Sequence, residues 1–321
     1  MLFLHCSQKL ATLERVLIRS FPESLKVYGS VFHINHGNPF RLEVLVDTWP
    51  QFSTVIARPS PKSFLSNERD STHAHLYYEM TDDLDNYRNS YFLFTKDPDN
   101  LQDILTNTDT INWKQVLQIQ AFQQNISEVI NSICTAKMLN LETTRTVLYV
   151  KDGSWNRPEL HMPPQQLQQG WEHSEVTPIE RAGKVFRISP LNISHAELVN
   201  NNWGFGGNEQ SLKYIQRCIC YLPNLCVMDE NGYPVSWTVM EESAEIRMGY
   251  TLPGYRRMGI AKSMLKFFLG SLMQKNFPLY MHVAENNENA KGVPLGLGFH
   301  IASCGWYQWK CSPVHRSERI A

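Results

Sequence analysis

Apolar residues recur at helical spacing from Ser7 to Phe21, with Leu10, Leu13, Leu17 and Phe21 on or near one face, which predicts an amphipathic helix. From Ser24 to His33 the period drops to two, through Leu25, Val27, Gly29 and Val31, and a strand is expected. A turn at Asn35 to Pro39 precedes strand-like runs at Arg41–Asp47 and Thr54–Arg58. Pro59 to Asp82 is polar and turn-rich, as a surface excursion would be. Ser90–Lys96 predicts a strand, Leu101–Leu105 a short helix, Asn112–Leu139 a long helix and Thr144–Lys151 a closing strand. Such mixing of strands and helices predicts an α/β or α+β domain over residues 1–151.

Asp152 to Gly183 changes character, with Pro158, Pro163, Pro164 and Pro178 among several glutamines, and reads as a linker. A second domain, 184–321, follows with clearer order. Lys184–Ile188 predicts a strand, Ser194–Asn201 a helix with Ser194 as its N-cap, and Asn208–Tyr221 another helix. Strands at Asn224–Asp229 and Pro234–Met240 flank Asn231-Gly232, a strong hairpin signal. Ala244–Thr251 is the next strand, and a helix runs from Ile260 to about Gln274. A strand at Leu279–Val283, a helix at Asn286–Leu295 and a strand pair over Phe299–Trp309 complete the order.

Composition narrows the field of partners. The 321 residues carry a formal net charge of −1, which gives no reason to expect nucleic acid or an anionic membrane surface. No apolar run approaches a membrane span. Seven cysteines at irregular spacing suit a reducing compartment, and no metal-ligand spacing appears. The first helix carries Lys9, Arg15 and Arg19 against Glu14 alone, a balance that suits mitochondrial import and equally suits a first surface helix.

The candidate chemistry begins at the strand-to-helix junction Thr251–Ala261, where Arg256, Gly259 and Ala261 fit the spacing R/Q-x-x-G-x-G/A. The first N–H groups of a helix lack internal partners, and the helix dipole adds about half a positive charge there. Such a junction suits a pyrophosphate, with Gly259 admitting close approach and Arg256 and Arg257 supplying countercharge. A plain surface turn is the alternative.

Downstream, Val283-Ala284-Glu285-Asn286-Asn287-Glu288-Asn289-Ala290 and Leu297-Gly298-Phe299 complete an ordered set that resembles the GNAT superfamily of acyl-CoA N-acyltransferases. A closer resemblance spans nearly the whole chain. Leu25-Lys26-Val27-Tyr28-Gly29, Phe32 to Phe40, Met80 to Asp85 and Ile111 to Gln115 are similar to the N-terminal domain of the glycine N-acyltransferase family. Phe205 to Glu209, Glu245 to Met248 and Thr251-Leu252-Pro253 extend the match. The resemblance implies a GNAT-type mixed sheet flanked by helices, preceded by an N-terminal α/β domain that is itself a candidate for the same fold. It implies a monomeric mitochondrial enzyme that uses acyl-CoA as co-substrate and transfers the acyl group to glycine or a similar amino acid such as glutamine. Detoxification through acylglycines is the corresponding role.

The resemblance also assigns residues. Met248, Gly249 and Tyr250 would bind the pantetheine arm along a splayed strand; Arg256, Arg257, Met258, Gly259, Ile260 and Ala261 would hold the pyrophosphate, with Asn286 nearby. Gly249 in mid-strand admits either a close ligand or a simple bulge. Glu245 falls on the family's catalytic glutamate and would take a proton from the amine, which is mostly protonated at neutral pH. Arg247, two residues on, would orient the acceptor's carboxylate, or the two would form a structural ion pair. His282 is the rival base, with a hydrogen-bonded core histidine as the alternative. Many superfamily members place a tyrosine acid where this chain has Pro294; Tyr307 and water are the replacements to test. Two other readings stay open: an acyl-CoA-binding protein with weak turnover, and acylation of another amine such as a protein lysine.

Overall fold

The computed structural model describes residues 1–61, 82–152 and 177–314, which divide into two compact units. One comprises Met1–Thr146 with Ser303–Ala321, the other Val147–Ala302. The C-terminal strand therefore belongs with the first unit, and the division is not a simple first half and second half. Most of the expected surface excursion and of the expected linker lies outside the described residues.

In the first unit, β1 (Leu2–Leu4), β2 (Leu42–Val46), β3 (Thr54–Pro59) and β4 (Ser90–Thr95) pair antiparallel in that order. Strand β5 (Leu117–Ala121) joins β4 in parallel and is flanked in turn by the end of β13 (His300–Pro313), antiparallel. Alternate side chains feed two cores, as strand geometry requires. Ile56, Tyr91 and Leu93 face α3 (Pro98–Asn107) and α4 (Ile126–Ala136), while Val55, Ala57, Phe92 and Phe94 face α1 (Ser7–Leu17) and α2 (Leu25–Asn35). The unit is a helix–sheet–helix sandwich.

Three expectations are corrected here. Ser24–His33 is not a strand: α2 occupies Leu25–Asn35, buried all round from Leu25 to His33. Period cannot separate strand from helix when every face is buried, and Val27, Tyr28 and Val31 pack equally well as a helical stripe. The long helix expected from Asn112 to Leu139 is broken by β5. Its Leu117-Gln118-Ile119-Gln120-Ala121 alternation is that of a strand, and glutamine's helix propensity misled. Buried Gln118 donates to Ser90 Oγ at 2.7 Å and Gln120 to Gln308 Oε1 at 3.1 Å, so the two amide nitrogens find side-chain acceptors inside the sheet. The strand pair expected at Phe299–Trp309 is the single strand β13.

The second unit holds a five-stranded sheet in the order β11-β10-β9-β8-β7. These are Thr177–Arg181 (β7), Lys184–Ser189 (β8), Asn224–Met228 (β9), Pro234–Met240 (β10) and Ile246–Thr251 (β11), all antiparallel to their neighbours. Strand β7 lies in residues read as linker. Helix α5 (Ala196–Asn202) follows a turn capped by Asn192, not Ser194, and Asn208 caps α6 (Glu209–Tyr221). Helix α7 spans Ile260–Gln274 and α8 Glu288–Leu295. Strand β12 (Tyr280–Val283) pairs with the last residues of β6 (Leu139–Val150), not with β11. Strand β11 is thus an edge of its sheet.

Candidate active site

The tight connection between β10 and β11 buries more charge than any expectation anticipated. Glu241, Glu242 and Glu245 are exposed by 0 %, 2 % and 0 %. The turn closes through Glu241 N–H donating to Glu245 O at 3.0 Å and Ala244 N–H to Glu241 O at 2.9 Å, with Ala244 in the left-handed region. Three buried carboxyls need compensation, since an ion without partners in a low-dielectric interior is costly. Each has one. Arg247 bonds Glu241, Tyr214 donates to Glu242, and Glu245 Oε1 meets His282 Nδ1 at 2.5 Å.

Sequence reasoning placed Glu245 with Arg247 or with nothing. The geometry gives each its own partner: Arg247 pairs with Glu241, and the two rival bases, Glu245 and His282, form a single hydrogen-bonded unit. Glu245 is sealed, whereas the His282 side chain keeps 11 % exposure. Burial works against the charge of Arg247, but Glu241 and Glu245 outweigh it and hold its pKa above the usual arginine value. Burial, with the charge of Glu241 added, pushes the Glu242 carboxyl up to about 7. Tyr280 donates to the Ser243 carbonyl and anchors β12 to the turn. Glu241 carried no expected role, although an acidic pair at a predicted strand end was visible.

Strand β11 is irregular where the pantetheine arm is expected. Its register with β10 shifts between the Trp237–Tyr250 and Val239–Arg247 pairs, leaving Met248 and Gly249 opposite Thr238. This is a bulge, and Met248, at φ 54°, takes the left-handed conformation rather than the glycine. A Cβ on Gly249 would meet only Trp237 O, at 3.9 Å, so protein packing does not demand a glycine there.

The phosphate-binding candidate lies at a strand-to-helix junction, between β11 and α7. Gly259, at φ 74°, is the residue just before α7, and no side chain caps the helix. Arg256 donates from Nε to Thr251 O at 3.0 Å and lies over the Tyr250 ring at 5.3 Å, while Arg257 is left-handed at φ 64°. Both arginines are exposed; Met258 is half-buried, Ile260 buried, Ala261 half-buried. One further cation was missed: Arg181, in β7, donates to Ser263 Oγ at 2.8 Å in the first turn of α7. Its position inside the supposed linker hid it. Asn286 is exposed, and its neighbour Asn287 supplies the cap of α8 by accepting from Ala290 N–H at 3.2 Å. Pro294 is buried inside α8. Tyr307 is a core residue of the first unit, 4 % exposed and stacked on Trp309 at 5.8 Å.

A model of the aralkyl acyl-CoA:amino acid N-acyltransferase family matches residues 1–223, and one of its C-terminal region matches residues 225–313. The chain belongs to this family. It is 42 % identical to the human putative glycine N-acyltransferase-like protein 1B, with 98 % of each chain covered. It is 39 % identical to the Bos taurus glycine N-phenylacetyltransferase, covering 98 % of this chain and 100 % of that one. A Drosophila protein solved by X-ray crystallography superposes with a TM-score of 0.68 over 97 % of this chain and 98 % of that one, at 14 % identity, and shares its fold. The fold is the mixed α/β GNAT type, and the activity class is acyl-CoA-dependent N-acyl transfer. Among the described residues no helix is long and apolar enough to cross a membrane, and no cluster of residues could hold a metal ion.

Proposed function

We propose that the protein conjugates an acyl group from acyl-CoA to the amine of a small amino acid, glycine first, with glutamine as the next candidate. The observation that carries this reading is the Glu245–His282 pair on the β11–β12 side of the second unit. With Nδ1–H donated to Glu245, His282 presents Nε2 as the proton acceptor, and the buried carboxylate stabilises the imidazolium that forms. His282 is then the base that touches the amine, and Glu245 positions it.

The remaining parts follow. CoA's pyrophosphate would lie at the uncapped start of α7, beside Arg256, Arg257 and Arg181. Its pantetheine arm would run along the β11 edge at Met248–Tyr250, pairing with backbone groups as an added strand does. The neutral amine attacks the thioester carbonyl carbon, the C–N bond forms, and the C–S bond breaks. The proton lost by nitrogen passes to His282 and from there to solvent, and CoA leaves as the thiolate, which takes a proton from water to end as the thiol. A thiolate with an ordinary pKa near 8.5 leaves reasonably well unaided, which fits Pro294 standing where many superfamily members place a tyrosine. Arg247 is assigned to holding Glu241 rather than a substrate carboxylate.

Mitochondrial residence is part of the proposal, on the basic character of α1. Leu10, Leu13 and Leu17 of that helix are core residues, so import would leave it in place. The test is incubation with benzoyl-CoA or a long-chain acyl-CoA and an equimolar amino-acid mixture, read by mass. A conjugate of glycine or glutamine is expected. Thioester binding without any conjugate would overturn the reading in favour of a binding role, and acylation confined to protein lysines would replace the acceptor.

A further inference from the structure

Between α5 and α6, the loop Trp203-Gly204-Phe205-Gly206-Gly207-Asn208 is built as a fixed wall. Asn200, 6 % exposed, holds it from behind. Its Oδ1 accepts from Gly207 N–H at 3.0 Å and from Ser211 Oγ at 2.7 Å, and its Nδ2 donates to Asn208 O at 3.2 Å. Gly206 N–H closes the turn onto Trp203 O at 2.8 Å. A Cβ on Gly206 would stand 2.4 Å from Asn200 O, so no side chain fits there, and Gly207 sits at φ 89°. Gly206 permits this tight approach.

The wall presents two aromatic rings to the buried charge. Phe205 meets the His282 ring edge-on, with centroids 6.2 Å apart, and lies 5.2 Å from the Arg247 guanidinium. Trp203 backs it at 5.6 Å and lies 5.3 Å from the same guanidinium. Phe205 is itself half-buried, so part of its ring still faces solvent. Those contacts explain how a buried arginine is shielded, but they do not require a ring beside the histidine.

We infer that Phe205 sets the size of the amine acceptor, by occupying the volume next to His282 that a side chain on the acceptor's Cα would need. This rests on the proposed role of His282. The nitrogen whose proton His282 takes is bonded to that Cα, so the wall beside the imidazole meets whatever the Cα carries. Glycine carries only hydrogen. Rigid apolar walls discriminate by about 10–200-fold for a methylene-sized difference.

The test compares kcat/KM for glycine, alanine and glutamine, with one acyl-CoA, across the parent, Phe205→Ala, Phe205→Leu and Phe205→Tyr. The glycine-to-alanine and glycine-to-glutamine ratios should fall at least tenfold in Phe205→Ala, less in Phe205→Leu, and stay near parental in Phe205→Tyr. Phe205→Leu carries the same test if the alanine variant fails to fold. An equal loss on all three acceptors, or a change in acyl-CoA preference with acceptor ratios intact, overturns the inference while leaving the function standing. A parent that conjugates none of the three overturns both.

Discussion

Each unit of this protein holds a carboxyl wholly or partly withdrawn from water with one named side-chain partner, half-buried Glu14 in the first and buried Glu245 in the second, and the partners differ in a way that separates structure from chemistry. In the first unit Glu14 accepts a hydrogen bond from Asn35 Nδ2 at 3.1 Å. An amide can neither take nor release a proton, so burial pushes the Glu14 carboxyl up to about 7, with Asn35 and Arg15 only partly opposing it. In the second unit the sealed Glu245 faces an imidazole, which can do both, and which reaches solvent. A buried carboxyl marks a site only when its partner can carry a proton to something outside.

The largest effect should come from breaking the second pair. His282→Ala removes the group assigned to touch the amine, and general-base catalysis is worth about 10²–10⁴-fold. Activity at neutral pH should fall by that range and recover partly at alkaline pH, where an amine of pKa roughly 8 or higher deprotonates by itself. Glu245→Gln should cost less and move the acidic limb of the kcat/KM profile to lower pH, because the imidazolium loses its countercharge. A His282→Ala profile parallel to the parent's would remove His282 as base. A Glu245→Gln loss equal to that of His282→Ala, with no shift of the limb, would assign the proton to Glu245 instead.

The first pair should respond in the opposite way. A folded-state carboxyl pKa raised from 4.5 to about 7 means the protonated form is favoured on folding. Its contribution is fully present below pH 4.5 and is lost as pH rises through about 7. Glu14→Gln keeps an acceptor for Asn35 and removes the ionisation, so its melting temperature should match the parent's near pH 4 and exceed it above pH 7. The ceiling is about 3 kcal/mol, from 1.36 kcal/mol per pKa unit. Acyl transfer should not change. A variant less stable than the parent at every pH would show that the charge of Glu14 is itself structural.

Legibility followed the same division between closed and open chemistry. The α7 junction, the Asn231-Gly232 turn, the helix beginning near Asn208 and strands β8 to β12 were readable because local signals and tertiary context agree there. Helix α2 and strand β5 were not, because both are buried on all sides and the tertiary partner decides between periods. Glu245 and His282 were each readable as candidates, but their union was not, since 37 residues separate them and only the approach of β11 and β12 brings them together. Phe205 was visible only as part of a glycine-rich stretch, and its place beside His282 needed the fold.

The smallest expected effect tests whether the proposed phosphate-binding end is as open as the Glu245–His282 end. Arg181 and Arg256 are both exposed: Arg181 donates to Glu180 O and to Ser263 Oγ in the first turn of α7, and Arg256 to Thr251 O at the end of β11. Exposed charges contribute about 0.2–1 kcal/mol apiece and are screened by salt, so either alanine substitution should weaken CoA binding by only about two- to fivefold. The helix start, with its backbone N–H groups, would supply the rest. Calorimetric titration with CoA at low and high salt separates the two contributions: the loss in Arg181→Ala should shrink as salt rises, and that in the double variant should be roughly additive. CoA affinity unchanged in Arg181→Ala at low salt would return Arg181 to a strut between β7 and α7, whereas unchanged affinity in Arg256→Ala would put the pyrophosphate elsewhere.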